Sequence, residues 1–195
     1  MEDLIAEFEN KPPSDRLKVK NPTYAAMLAM LDQSVNNILT ALKESGLENN
    51  TLIIFTSDNG APAKVYDGNI NIPLRGTKGQ FYEGGIRVPM IVKWPDKIKP
   101  ATTCNEPVSM IDLFPSFLDI ISIDPDLKTE LDGESLLALW TGKSEDLQRE
   151  SIFWHFPGYL PGRTRPLSAI RWGNFKLIEN HEDGSLELYD IERDM

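Results

Sequence analysis

Thr51-Leu52-Ile53-Ile54-Phe55-Thr56-Ser57-Asp58-Asn59-Gly60 is the stretch from which the fold is read. A short apolar run rich in β-branched residues ends in two oxygen-bearing side chains and a glycine. Such a run reads as a strand buried on both faces. Asp58 and Asn59 then lie just past its C-terminal end, where open α/β sheets bind ligands. Their oxygens suit a hard cation such as Ca2+ or Mg2+. The competing reading is a plain hairpin turn, because Asn-Gly is a strong hairpin signal. The residues that follow oppose it. Ala61-Pro62-Ala63-Lys64 is no return strand, since Pro62 cannot donate to a ladder, and the connection to Leu74 is long and polar.

Working outward, Pro22 to Gly46 carries the clearest helical pattern. Pro22 stands where a helix starts and Gly46 where one ends. Met27, Met30, Leu31, Val35, Ile38, Leu39 and Leu42 recur at helical spacing and predict one core-facing side. Helix, tight turn and buried strand form half of a βαβ unit, so a parallel sheet is expected. Residues 1–21 read as a short helix and a polar linker broken at Lys11-Pro12-Pro13. Downstream, Pro89 to Trp94 predicts a second core strand. A helix follows from Pro107, with Ser109 and Asp112 spaced as a capping pair and Leu113, Phe114, Phe117, Leu118 and Ile121 on its apolar side. Asp112 reads as a helix N-terminal carboxylate rather than a catalytic one.

The second half of the stretch carries three more blocks: Leu74-Arg75-Gly76-Thr77-Lys78-Gly79, Tyr82-Glu83-Gly84-Gly85-Ile86-Arg87-Val88-Pro89 and, further on, Leu131-Asp132-Gly133-Glu134-Ser135-Leu136-Leu137. Together with Phe55-Thr56-Ser57-Asp58-Asn59-Gly60, in this order and spacing, the chain closely resembles the C-terminal half of the type I sulfatases, or arylsulfatases, of the alkaline phosphatase-like superfamily. The resemblance runs from about Pro22 to Asp194. It implies an α/β fold: a partial alkaline phosphatase-like sheet with flanking helices, plus a small C-terminal antiparallel sheet. It also implies that Asp58 and Asn59 are ligands of a Ca2+ ion and that Lys78 contacts the sulfate ester. The partner would be a sulfated small molecule or glycan, acted on by an exported, periplasmic or secreted parent enzyme.

From Arg149 the pattern changes to short strands, at Ile152 to Trp154, Ser168 to Trp172, Phe175 to Ile178 and Leu186 to Asp190. Gly173-Asn174 and Asp183-Gly184 are hairpin signals between them. We place a boundary in the polar break at residues 141–146. Residues 1–146 then form the α/β portion and residues 147–195 a small antiparallel subdomain. Gly142-Lys143-Ser144 is no phosphate loop, because the upstream glycine and the leading buried strand are missing. The loop His155 to Pro166 corresponds to one bordering the substrate pocket in related enzymes. His155, Arg163 and Arg165 are candidates for reading a sugar or a second anionic group, against a reading as solvated surface residues.

Departures from the family pattern bear on activity. The family's nucleophile is a Cys or Ser in a C-x-P-S-R segment, oxidised to formylglycine. The single cysteine here lies in Thr103-Cys104-Asn105-Glu106-Pro107 and no serine occupies such a motif. The N-terminal metal-binding aspartates of the family have no counterpart either. Sulfate ester hydrolysis needs a nucleophile on sulfur and neutralisation of oxygen charge. The expectation is therefore a fragment that is inactive by itself and binds Ca2+ weakly or not at all. Two other readings stay open, a non-catalytic module and a fragment of a phosphoesterase of the same superfamily.

The 195 residues allow one sizeable domain, or one with a small appendage, and 41% hydrophobic with 26% charged residues is ordinary globular composition. A formal net charge of −10 argues against a nucleic-acid partner and requires a local basic patch for any anionic substrate. One cysteine excludes an internal disulfide. No apolar run approaches the roughly 20 residues of a membrane span, and the acidic N-terminus lacks a signal peptide's basic start. The missing upstream strands imply an exposed sheet edge and self-association through it.

Overall fold

The computed structural model describes residues 1–13, 20–63, 71–123, 130–161 and 164–194. Helix α1 (Glu2–Glu9) packs on the long helix α2 (Pro22–Glu44). Asn21 caps α2 by accepting from the Tyr24 amide at 2.9 Å, and Pro22 occupies the first turn, where a missing N–H costs nothing. Gly46, at φ +69°, turns the chain away beyond the helix end. The side expected to face a core is only partly covered. Val35, Leu39 and Leu42 are half-buried, whereas Met27, Met30, Leu31 and Ile38 are exposed. No described residue covers that stripe enough to bury it.

Strand β1 (Ile53–Thr56) pairs with β2 (Met90–Lys93), and here the parallel arrangement gives way. The pair is antiparallel, with Ile53 opposite Lys93 and Thr56 opposite Met90. Neither strand is buried on both faces, since Phe55 and its partner Ile91 are 42% and 62% exposed. A continuous apolar run could not reveal this, because its periodicity says nothing of strand direction. The register places Asn59-Gly60 outside the ladder, in the connection that leaves β1, so these residues are not the turn of a hairpin.

Between β1 and β2 lies the four-residue helix α3 (Glu83–Ile86), whose Glu83, Gly84 and Gly85 are all buried. Beyond β2 a 3-10 turn, Met110–Asp112, runs into α4 (Leu113–Ile120). The expected apolar side of α4 is only partly covered: Leu113 and Leu118 are half-buried, Phe114 and Phe117 are 56% and 43% accessible, while Asp112 and Ser116 are fully buried. Hydrogen bonds explain the burial of these two polar side chains. The Asp112 carboxylate accepts from the amides of Ser109 (2.7 Å) and Glu134 (3.1 Å) and forms a two-pronged pair with both terminal nitrogens of Arg149. Ser116 Oγ accepts from the Leu136 amide at 2.8 Å. Gly133 makes the approach possible, since a Cβ there would stand 2.2 Å from the Ile111 carbonyl. Helix α5 (Leu137–Trp140) follows and buries Leu139 behind the fully buried Leu136.

The remaining chain is a four-stranded antiparallel meander: β3 (Ser151–Phe156), β4 (Leu167–Trp172), β5 (Phe175–Asn180) and β6 (Leu186–Asp190). Gly173 and Gly184, at φ +54° and +70°, form the two expected turns. Strand alternation separates two faces. Ile152, Ala169, Lys176 and Ile178 are buried on one face, and Phe153, Trp172, Phe175 and Leu188 are exposed on the other. No helix among the described residues is long and apolar enough to cross a membrane.

Candidate functional site

The Asp58-Asn59-Gly60 loop is held by close backbone contact rather than by side-chain packing. Gly60 donates its N–H to the Gly85 carbonyl at 2.9 Å, and Gly84 donates to the Arg75 carbonyl at 2.7 Å. A Cβ on Gly60 would stand 1.8 Å from the Gly84 oxygen, one on Gly84 2.2 Å from the Gly76 oxygen, and one on Gly85 2.0 Å from the Gln80 oxygen. Only glycine admits such approaches. Asn71 completes the clasp. Its carboxamide accepts from the Ala61 amide at 2.9 Å and donates to the carbonyls of Ala61 and Gly76, both at 3.1 Å.

This clasp presents Asp58 and Asn59 to a cavity of about 630 Å³. The cavity lies between the loop, residues 79–88, residues 104–110 and the inner face of the C-terminal sheet, which contributes Ile152, Trp154, Phe156 and Arg171. Asn59 donates through Nδ2 to Asp58 Oδ1 at 2.9 Å, so the two side chains meet at the cavity edge. Their hard oxygens fit a hard cation in donor type. Among the described residues no group of three or more His, Cys, Asp and Glu side chains converges to extend the set. Two such side chains are fewer than the about six to eight oxygens that a Ca2+ ion takes.

Lys78 is brought to the same loop through its backbone, its N–H donating to the Ala61 carbonyl at 3.0 Å. Its side chain is half-buried, and the adjoining Gly79 and Gln80 line the cavity. His155 and Arg165 are not brought to this cavity. Alternation on β3 directs His155 to the sheet face opposite Trp154 and Phe156, where its Nδ1 meets Ser168 Oγ at 2.9 Å. Arg165 pairs with Glu182 at 3.2 Å on the turn between β5 and β6. Arg163 lies outside the described residues. Of the loop that carries these three, Leu160 and Thr164 reach the cavity wall.

Sequence reasoning missed two features. Arg171 is a cation in the wall, and burial pulls its guanidinium below the ordinary value while Glu83 acts in the opposite sense. The alternation that buries Ala169 was the available signal for it. The second is an ion pair across the molecule. Lys176 on β5, 1% exposed, donates to the buried Glu83 at 2.9 Å, with its ammonium 5.2 Å from the Trp154 ring. Burial lowers the Lys176 pKa, and Glu83 opposes that shift. No local motif announces a pair separated by 93 positions. Nearby, Arg75 stacks over the Tyr82 ring at 3.9 Å and donates to the Tyr189 hydroxyl at 2.8 Å, and Tyr82 and Tyr189 both donate to Glu187. The glycine clasp and the C-terminal sheet are therefore joined around the start of α3.

Comparison with known proteins places this arrangement. Residues 6–123 match the Sulfatase family profile, and residues 77–195 match that described as N-sulphoglucosamine sulphohydrolase, C-terminal. The chain is 36% identical to a sulfatase of Formosa agariphila, the match covering 99% of this chain and 37% of that protein. It is 40% identical to human arylsulfatase A over 76% of this chain and 29% of that protein. Among solved structures, Ps i-CgsB in complex with k-i-k-neocarrahexaose superposes with a TM-score of 0.81 at 31% identity, covering 100% of this chain and 40% of that one. The chain thus spans well under half the length of the relatives it matches.

Proposed function

The chain belongs to the sulfatase family, and on that premise we propose that it forms the C-terminal, cation- and anion-binding part of an enzyme that hydrolyses sulfate esters. The observation that carries this reading is the Asp58–Asn59 pair, held at the cavity edge by the glycine clasp. Asp58 would offer its carboxylate and Asn59 its carboxamide oxygen to Ca2+, with remaining positions filled by groups from elsewhere or by water. The cation, when bound, offsets the charge on the sulfate oxygens. Lys78 would add a positive group to the same anion; its backbone bond to Ala61 ties its segment to the Asp58–Asn59 loop, although Lys78 itself is not part of the cavity wall. Fixed positioning of this kind lowers the barrier because no reorganisation is needed at the moment of reaction.

The substrate we propose is a sulfated saccharide. The neocarrahexaose complex of Ps i-CgsB supports the saccharide part of that reading. Arg171 in the cavity wall supplies the local positive charge that a chain of net charge −10 must provide for an anionic ligand.

The chain by itself lacks a nucleophile in this proposal. Cys104 is exposed and borders the cavity, yet its flanking residues match no formylglycine-forming motif. Turnover of a chromogenic aryl sulfate by the purified chain in millimolar Ca2+ tests this. The expected result is no hydrolysis above background. Hydrolysis that disappears in Asp58→Ala would show that another residue attacks sulfur and would overturn the inactive-fragment reading.

A further inference from the structure

The chain has two histidines, and the fold brings both to one serine. His155 on β3 stands opposite Ser168 on β4 in the antiparallel register. His181 directly follows β5, and its amide donates to the Pro166 carbonyl at 3.0 Å, which carries its ring to the same end of the sheet. His155 Nδ1 lies 2.9 Å and His181 Nε2 2.8 Å from Ser168 Oγ, with ring centroids 5.5 Å apart and planes inclined by 35°. Both imidazoles are exposed, on the sheet face turned away from the cavity.

We propose that His155 and His181 bind a borderline divalent transition cation, with Zn2+ as its representative, in the space now bridged by the Ser168 hydroxyl. The hydroxyl has one proton, so it donates to one ring and accepts from the other. Two ring nitrogens directed at one small volume are what a shared cation requires. Imidazole suits Zn2+, Ni2+ and Cu2+, and does not suit the Ca2+ expected at Asp58 and Asn59. Ligation takes His155 through Nδ1 and His181 through Nε2, both as neutral rings, leaving the other nitrogen of each as the N–H. With metal–nitrogen bonds of about 2.1 Å, the rings close on the volume of the hydroxyl, which rotates aside. Exposed side chains can make that change by rotation about χ1 and χ2.

The surroundings favour a cation. Glu179 stands opposite Ser168 on β5, on the same face as both rings, and Glu182 adjoins His181. Glu182 is engaged by Arg165 at 3.2 Å and by the Tyr159 hydroxyl at 3.0 Å, so the two imidazoles are the protein ligands of the proposed site and water takes the remaining positions. The site would join the end of β3 to the chain leaving β5, across the start of β4. The site stands independently of the sulfatase reading.

Calorimetric titration of the tag-free, metal-stripped chain with Zn2+ at about pH 7, above the ordinary histidine pKa, tests the proposal. We expect one-to-one micromolar binding that weakens at least about tenfold in His155→Ala and in His181→Ala. Ser168→Ala and Cys104→Ser should bind as the parent does. Imidazole nitrogen resonances of the unaltered chain, followed by NMR, should shift at His155 Nδ1 and His181 Nε2. Absence of saturable binding, binding indifferent to either histidine, or ring resonances unmoved by Zn2+ would overturn it.

Discussion

Gly60 donates its N–H to the carbonyl of Gly85 at 2.9 Å, and the two loops that carry the candidate site are thereby locked backbone to backbone. The contact leaves no room for a side chain, since a Cβ on Gly60 would stand 1.8 Å from the Gly84 oxygen. The Asp-Asn-Gly and Glu-Gly-Gly blocks are thus one structural unit, although Gly60 and Gly84 stand 24 positions apart.

Gly60→Ala should destabilise the chain by at least the ~1–3 kcal/mol typical of overpacking, because the obstacle is backbone that cannot swing away. Urea unfolding checks this. Gly142→Ala, at a position with nothing within 4 Å of the added carbon, is the comparison, and its smaller cost should reflect only the strain of φ +70°. Equal effects of the two would contradict the clasp.

The Glu83–Lys176 pair gives a second expectation. Lys176→Met removes one partner and leaves a carboxylate buried without its cation, which costs about 3–5 kcal/mol. Adding Glu83→Gln should recover part of the loss, because the stranded charge is then gone. A double-mutant cycle in denaturant measures the coupling, and simple additivity would show that the two groups do not interact.

These contacts also show what could be read from the sequence and what could not. The meander was legible, because alternation on β3 to β5 and the glycines at 173 and 184 are local signals. Asp58 and Asn59 could be placed after a strand for the same reason. The partner of that strand could not, since β1 meets β2 across more than thirty intervening residues and its apolar run carries no information on direction. The buried side of α4 was misread because Asp112 and Ser116 look polar until Arg149 and Leu136 are brought to them. The loop His155 to Pro166 offers His155 as a pocket residue or a solvated one, and its parity on β3 turns it to the face away from the cavity.

A third expectation concerns alkaline pH. Tyr189 is pushed up to about 12 from an ordinary 10.0, first by burial and then by its hydrogen bond to Glu187, with Arg75 opposing. The raised value favours the neutral phenol in the folded state. Its contribution to stability is therefore complete below pH 10 and is lost as pH rises from there through about 12. Stability measured across that window should fall more steeply in the parent than in Tyr189→Phe. Parallel curves would mean that Tyr189 titrates alike in the folded and unfolded chain.

The central claim is that Asp58 and Asn59 hold the cation of a sulfatase. The direct measurement is Ca2+ titration of the isotope-labelled chain, following the backbone amides of Asp58, Asn59 and Gly60 by NMR. Two protein ligands predict weak, saturable binding at about millimolar Ca2+, with shifts centred on these amides and on the Gly84–Gly85 segment they touch, all abolished in Asp58→Ala. Ca2+-dependent shifts centred away from these amides, or shifts at them that persist unchanged in Asp58→Ala, would contradict the assignment.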